Sequence, residues 1–84
     1  MITILYFASL REQLNTSREQ LECPAGVSSI GELRQWLCQR GSTWAQVLDE
    51  DALVMMSLNH SMSDASASIS EGDEIAFFPP VTGG

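Results

Sequence analysis

The sequence has 84 residues, a mass of 9.2 kDa and a formal net charge of −7, from eleven acids, four arginines and no lysine. Surface scaling leaves about 4,900 Å² exposed of about 13,000 Å² for the extended chain, enough for one core but hardly for a deep catalytic cavity as well. With 44% apolar and 18% charged residues the chain is globular rather than disordered, and its acidity disfavours nucleic acid while steering in a partner with a basic face.

Met1 to Ala8 alternates and is rich in β-formers, so it reads as a strand with Ile2, Ile4 and Tyr6 on one face and Thr3, Leu5 and Phe7 on the other. Ser9-Leu10-Arg11-Glu12 has capping-box spacing and predicts a short helix through about Leu14, with Asn15-Thr16 turning the chain. Arg18 to Cys23 alternates again, Leu21 and Cys23 lying on its apolar side, and Pro24-Ala25-Gly26 ends it. Ser29-Ile30-Gly31-Glu32 is a second capping box. It opens a helix in which Ile30, Leu33 and Leu37 recur at helical spacing, with Gly41 as the expected stop.

Ser42 to Leu48 has room for a shorter helical turn that offers Trp44, Val47 and Leu48 to the core. The acidic run Asp49-Glu50-Asp51 reads as a solvated turn. Leu53 to His60 is a third strand with Val54, Met56 and Leu58 on one face. The small, polar stretch from Ser61 to Ser70 holds at most one edge strand, and Glu71-Gly72-Asp73 turns into the last strand, Glu74 to Phe78, which Pro79-Pro80 terminates. No basic-then-apolar leader and no apolar run of spanning length appear, so no membrane partner and a cytoplasmic location are expected. Cys23 and Cys38 form no CxxC pair and read as reduced, buried thiols.

The element order is β–(short α)–β–α–(short α)–β–(β)–β. Packing one main helix on one face of a mixed sheet of four to five strands buries these apolar faces, and the two most apolar strands, first and last, suit its centre. The expected class is therefore α+β, a ubiquitin-like β-grasp with short extra helices, comprising a single domain over residues 1–78 and a flexible tail over 79–84.

Counting excludes most catalytic constellations. A hydrolytic nucleophile needs a base, and the only histidine, His60, sits at a strand end beside Asn59 as a surface residue. One histidine and two scattered cysteines cannot make a zinc site or a four-cysteine iron–sulfur site, and there is no P-loop or G-x-G-x-x-G. Eleven carboxylates could supply an acid–base pair, but no spacing selects two.

The end of the chain is different. Pro79-Pro80-Val81-Thr82-Gly83-Gly84 follows the last strand directly. Extended, six residues reach about 20 Å, far enough to enter a neighbouring protein's active site. The prolines stiffen the base of this tail and lessen the entropy lost on docking. Gly83 and Gly84 lack a Cβ, so their backbone can thread a narrow channel. The terminal carboxylate, ionised at neutral pH, is inert until activated. The plain alternative is a frayed terminus. Alternation adds a second feature. Glu74 and Thr3 mark the outer face of their strands, which leaves Phe7 and Phe78 as neighbours in an exposed apolar patch, the usual mark of a partner site unless a loop covers it.

At full length the sequence resembles the sulfur-carrier subunits of molybdopterin synthase. MITILYFASLREQL is similar to that family's first strand and helix, and EGDEIAFFPPVTGG to its C-terminal signature; residues from Ser17 to Ser70 match mainly in pattern. The resemblance implies that the Gly84 carboxylate is the reactive site. An adenylyltransferase related to ubiquitin-activating enzymes would adenylate it with its own ATP and magnesium, the carrier binding no cofactor itself. A sulfur donor would then displace AMP to leave a thiocarboxylate. The tail (Pro80, Val81, Thr82, Gly83) would enter the large synthase subunit, where sulfur passes to a cyclic pterin monophosphate precursor. The catalytic groups would lie on that large subunit, in a heterotetrameric synthase. By matching position, Phe7, Arg11, Met62 and Phe78 would touch the partner, Arg11 and Met62 on the resemblance more than on the pattern. Competing readings are a thiocarboxylate carrier of another pathway (thiamine or tRNA thiolation), a ubiquitin-like protein modifier, and a non-covalent interaction module.

Overall fold

The computed structural model describes residues 1–80. Five strands, β1 (Ile2–Tyr6), β2 (Arg18–Leu21), β3 (Met55–Leu58), β4 (Ser61–Ser63) and β5 (Glu74–Phe78), form one sheet in the order β2-β1-β5-β3-β4. β1 and β5 pair in parallel at the centre, and every other pairing is antiparallel. Helix α2 (Ile30–Cys38) covers one face, with the short helices α1 (Ala8–Leu14) and α3 (Ser42–Val47) beside it. This is the α+β, ubiquitin-like β-grasp arrangement expected from the element order.

The period-2 pattern of β1 decides its orientation. Ile2, Ile4 and Tyr6 are fully buried with Ile75 and Phe77 of β5, against Ile30, Leu33 and Leu37 of α2. Tyr6 stacks on Phe77 at 6.2 Å between centroids and meets Trp44 edge-on at 5.6 Å, so the aromatic ring of α3 closes one end of the core. Leu48, just past α3, is fully buried. The exposed area, 4963 Å², agrees with the value that chain length alone gives.

Helix ends differ in how far local sequence governs them. Ser29 does cap α2: its Oγ accepts the Glu32 backbone N–H at 3.2 Å, and the Glu32 carboxylate accepts from the Ser28 N–H at 2.9 Å. The Ser28 N–H and hydroxyl bonds to it, joined by weaker ones from Ser29, hold the Glu32 carboxyl below the usual carboxylate range. The capping box expected at Ser9 is not formed. Phe7 is the N-cap of α1 without a side-chain bond, and Ser9 lies inside the helix, because Ala8 at φ 53 turns the chain abruptly out of β1. Gly41 does not stop α2 either. The helix ends at Gln39 in a right-handed conformation, and Gly41 instead caps the start of α3.

Two polar clusters on the helix side have no simple sequence signature. Arg34 is buried, its Nε donating to the Leu48 carbonyl at 2.8 Å and its Nη2 to the carbonyls of Asp49 and Ala52. It thereby pins the turn between α3 and β3. Arg40 makes a bidentate pair with Glu19 of β2, both contacts at 2.8 Å, and lies over the rings of Trp36 and Trp44. Tyr6 Oη donates to the same carboxylate at 2.9 Å. Burial, then the Glu19 charge and hydrogen bond, push the Tyr6 phenol well above its ordinary range.

Burial also pushes Glu19 up, but the hydrogen bonds from Arg40 and Tyr6 and the Arg40 charge outweigh it and leave the carboxyl below its usual value. A depressed folded pKa contributes stability above the unfolded value, about 4.3, and that contribution is lost as pH falls through the folded value. The urea midpoint of the protein should therefore fall with acidification below about pH 4.5. Glu19→Gln should start lower at neutral pH and lose less across the same interval. Equal losses in the two proteins would show that Glu19 is not part of the acid limb.

Candidate functional site

The side of the sheet away from α2 carries a continuous set of apolar side chains that strand register aligns into rows. Tyr6 pairs with Phe77, so Phe7 stands beside Phe78, and the Phe7 N–H donates to the Phe77 carbonyl at 3.2 Å. Met55 pairs with Phe78 from the other side. The first row is thus Phe7, Phe78 and Met55. In the next row Arg18 is opposite Leu5, Leu5 opposite Ala76, Ala76 opposite Ser57 and Ser57 opposite Met62. A third row is polar: Gln20 donates to Thr3 Oγ1 at 3.3 Å, and Thr3 pairs with Glu74.

Phe7 is 45% exposed and Met62 60%. Phe78 is half-buried rather than exposed, because a central strand gives it a neighbour on each side, Phe7 and Met55. Leu5 and Met55 are also half-buried, and Ala76 is covered between Leu5 and Ser57. The outer-face assignment from alternation and the adjacency of Phe7 and Phe78 agree with this geometry.

Arg11 sits one helical turn beyond Phe7, its N–H directed at the Phe7 carbonyl at 3.4 Å, and its side chain is exposed. Met62 reaches the same face from the edge strand. The two-residue hairpin turn at Asn59-His60, with φ 50 and 71, sets the pairing of β4 on β3. Pro79 follows β5 directly, and both it and Pro80 are half-buried. Val81, Thr82, Gly83 and Gly84 lie outside the described residues. β5 therefore ends with Phe78 in the apolar row, and the tail starts from that row.

Met55, Ser57 and Arg18 also belong to this face and were not singled out from sequence. The signal was present, since Val54 and Met56 inward requires Met55 and Ser57 outward, and Leu21 inward requires Arg18 outward. His60 is 81% exposed, with Nε2 2.8 Å from Glu74 Oε2, at the far end of the sheet from the tail. Cys23 and Cys38 are free thiols directed at the carbonyls of Val27 and Leu48, 3.2 and 3.3 Å away. Burial pushes the Cys38 thiol up, away from nucleophilic character. On the helix side, a hollow of about 440 Å³ is lined by Gly31, Arg34, Gln35, Cys38, Asp49 and Glu50, and Arg34 is already engaged with carbonyls. Among the described residues no helix is long and apolar enough to cross a membrane.

A sequence model described as the ThiS family matches residues 4–84. The molybdopterin synthase sulfur carrier subunits of Haemophilus influenzae and Escherichia coli are each 37% identical over 84 residues, covering 100% of this chain and 100% of theirs. Among solved structures, SAMP1 from Haloferax volcanii superposes with a TM-score of 0.78 at 22% identity, covering 99% of this chain and 98% of its own. A chain of the complex of subunits 1 and 2 of molybdopterin-converting factor from Helicobacter pylori has a TM-score of 0.64 at 22% identity, covering 99% and 97%. At these identities the two structures speak for the fold, and the sequence relatives speak for the lineage. The chain belongs to the ThiS family, among the molybdopterin synthase sulfur carrier subunits.

Proposed function

We propose that this protein is the sulfur carrier of a molybdopterin synthase, acting in the cytoplasm through the carboxylate of Gly84. The observation that carries the reading is the 37% identity, over all 84 residues, to sulfur carrier subunits of that enzyme. The geometry supports it, since an apolar docking face adjoins the strand from which the tail departs.

In the proposed cycle a Gly84 carboxylate oxygen attacks the α-phosphorus of ATP on an adenylyltransferase partner, and magnesium pyrophosphate leaves. Sulfur from a donor system then forms a C–S bond at the Gly84 carbonyl carbon as the bond to AMP breaks. The resulting thiocarboxylate is a soft nucleophile, ionised at neutral pH. Docking of Phe7, Phe78 and Met62 on the large synthase subunit inserts the tail, sulfur passes to the pterin precursor, and water returns the carboxylate. The ATP, the magnesium and the catalytic side chains all belong to the partners.

Intact mass spectrometry of the chain from its native cell should show a fraction with one terminal oxygen replaced by sulfur. Finding the plain carboxylate alone under sulfur-replete conditions would overturn the carrier reading. A thiamine- or tRNA-pathway carrier would also be thiocarboxylated, so restoration of molybdenum-enzyme activity in a strain lacking its own carrier separates the pathways.

A further inference from the structure

Two exposed arginines lie close to the docking face of this otherwise acidic molecule. The chain carries −7 with four arginines and no lysine. Two of the arginines are engaged on the helix side of the sheet, Arg34 with backbone carbonyls and Arg40 with Glu19. The other two, Arg11 and Arg18, are exposed and make no ion pair among the described residues. Both lie near residues of the apolar patch. Arg18 is directly opposite Leu5 in the antiparallel β1–β2 register, on the same face, and Arg11 lies one helical turn past Phe7. Cross-strand neighbours of this kind have Cβ atoms about 5 Å apart, which puts the edge of the patch within the length of the Arg18 side chain. Glu12 follows Arg11 but is turned about 100° around the helix.

The face also has an electrical direction. Arg18 lies in the row of Leu5 and Ala76, Arg11 lies one turn past Phe7 at the end from which the tail departs, and the acid Glu74 lies one row beyond Leu5 and Ala76 in the other direction, about 7 Å further along the strands. An apolar patch alone does not fix in-plane orientation, whereas a charge gradient along it does.

From this we infer that Arg18, together with Arg11, is an orientation and specificity determinant of docking, recognising carboxylate side chains on the large synthase subunit beside the site where the tail enters. The inference rests on the docking face proposed above and adds to it the chemistry of the partner's rim: acidic next to the tail, and not acidic opposite Glu74. A partner that is basic over most of its contact surface would still be steered in by the overall acidity. Arg18 and Arg11 then set the register in which Gly84 is delivered.

The test is calorimetric titration of the full chain into purified large subunit, at low and high salt, for wild type, Arg18→Glu, Arg18→Lys and Phe7→Ala, with thermal unfolding to show that each is folded. Arg18→Glu is expected to weaken binding about tenfold at low salt, with the deficit shrinking as salt screens it. Arg18→Lys should stay close to wild type. If Phe7→Ala weakens binding while Arg18→Glu binds as wild type does, the orienting role of Arg18 is wrong and the docking face stands. If neither weakens binding, the docking face itself is wrong. A deficit in Arg18→Glu that salt does not reduce would also overturn the inference, since an electrostatic contact at an exposed rim must be screened.

Discussion

A variant ending at Thr82 is expected to lose sulfur transfer completely while melting at the temperature of the full chain. The expectation follows from where the two properties reside. Every residue of the hydrophobic core cluster lies between Ile2 and Phe77, so truncation after Thr82 removes nothing from it. The reactive group proposed here is the Gly84 carboxylate, and truncation replaces it with the carboxylate of a β-branched threonine, two residues short. Two extended residues span about 7 Å. A displacement of even 1 Å at a reacting centre costs about a hundredfold in rate, so a shortfall of this size leaves no productive geometry in either partner's active site. The measurement is production of active molybdenum enzyme in a carrier-deficient strain, alongside a melting curve of the purified variant. Retained activity would place the chemistry elsewhere in the chain.

The second large effect contrasts two adjacent phenylalanines. Phe77→Ala should cost about 3–5 kcal/mol, since Phe77 is fully buried and stacked on Tyr6 at 6.2 Å. An 84-residue domain has a total stability of about 4–13 kcal/mol, so the substitution removes a large fraction of it and should lower the melting temperature and the urea midpoint markedly. Phe78→Ala removes a half-buried ring from the opposite face and should cost stability only about 1 kcal/mol. Its effect should instead appear in binding, as a ten- to hundredfold weaker complex with the large subunit, in the range of a hot-spot truncation. Urea titration and calorimetry on the two variants separate the outcomes. If Phe78→Ala proves as destabilising as Phe77→Ala, the outer-face assignment fails. If it leaves binding unchanged, the patch is not the docking site.

The same alternation that distinguishes Phe77 from Phe78 shows how the docking face could be read from residues alone and where that reading ran short. A strand with one buried face needs only its own sequence to say which side chains point outward, so Phe7, Leu5 and Phe78 were placed correctly. Their exposure was a different matter. Phe78 has Met55 as its cross-strand neighbour, a residue 23 positions earlier that is brought beside it only through the β3–β5 pairing. Arg18 escaped notice for a related reason: its importance comes from lying opposite Leu5, which is a property of two strands together.

The boundary between the two kinds of knowledge runs along the range of the interactions. Sequence by itself determined the strand faces, the capped start of α2 and the turn before β5, because each depends on residue type within one or two turns of chain. Tertiary structure alone decided that α1 begins at Ala8, after Phe7 as N-cap and without the Ser9 cap, that Gly41 opens α3 instead of closing α2, and that Arg34 and Arg40 are engaged while Arg11 and Arg18 are exposed. A helix end or a guanidinium bonds to whichever carbonyl or carboxylate the fold brings near it. Arg34 finds Leu48 and Ala52, and Arg40 finds Glu19, only once the sheet and helices have closed on one another.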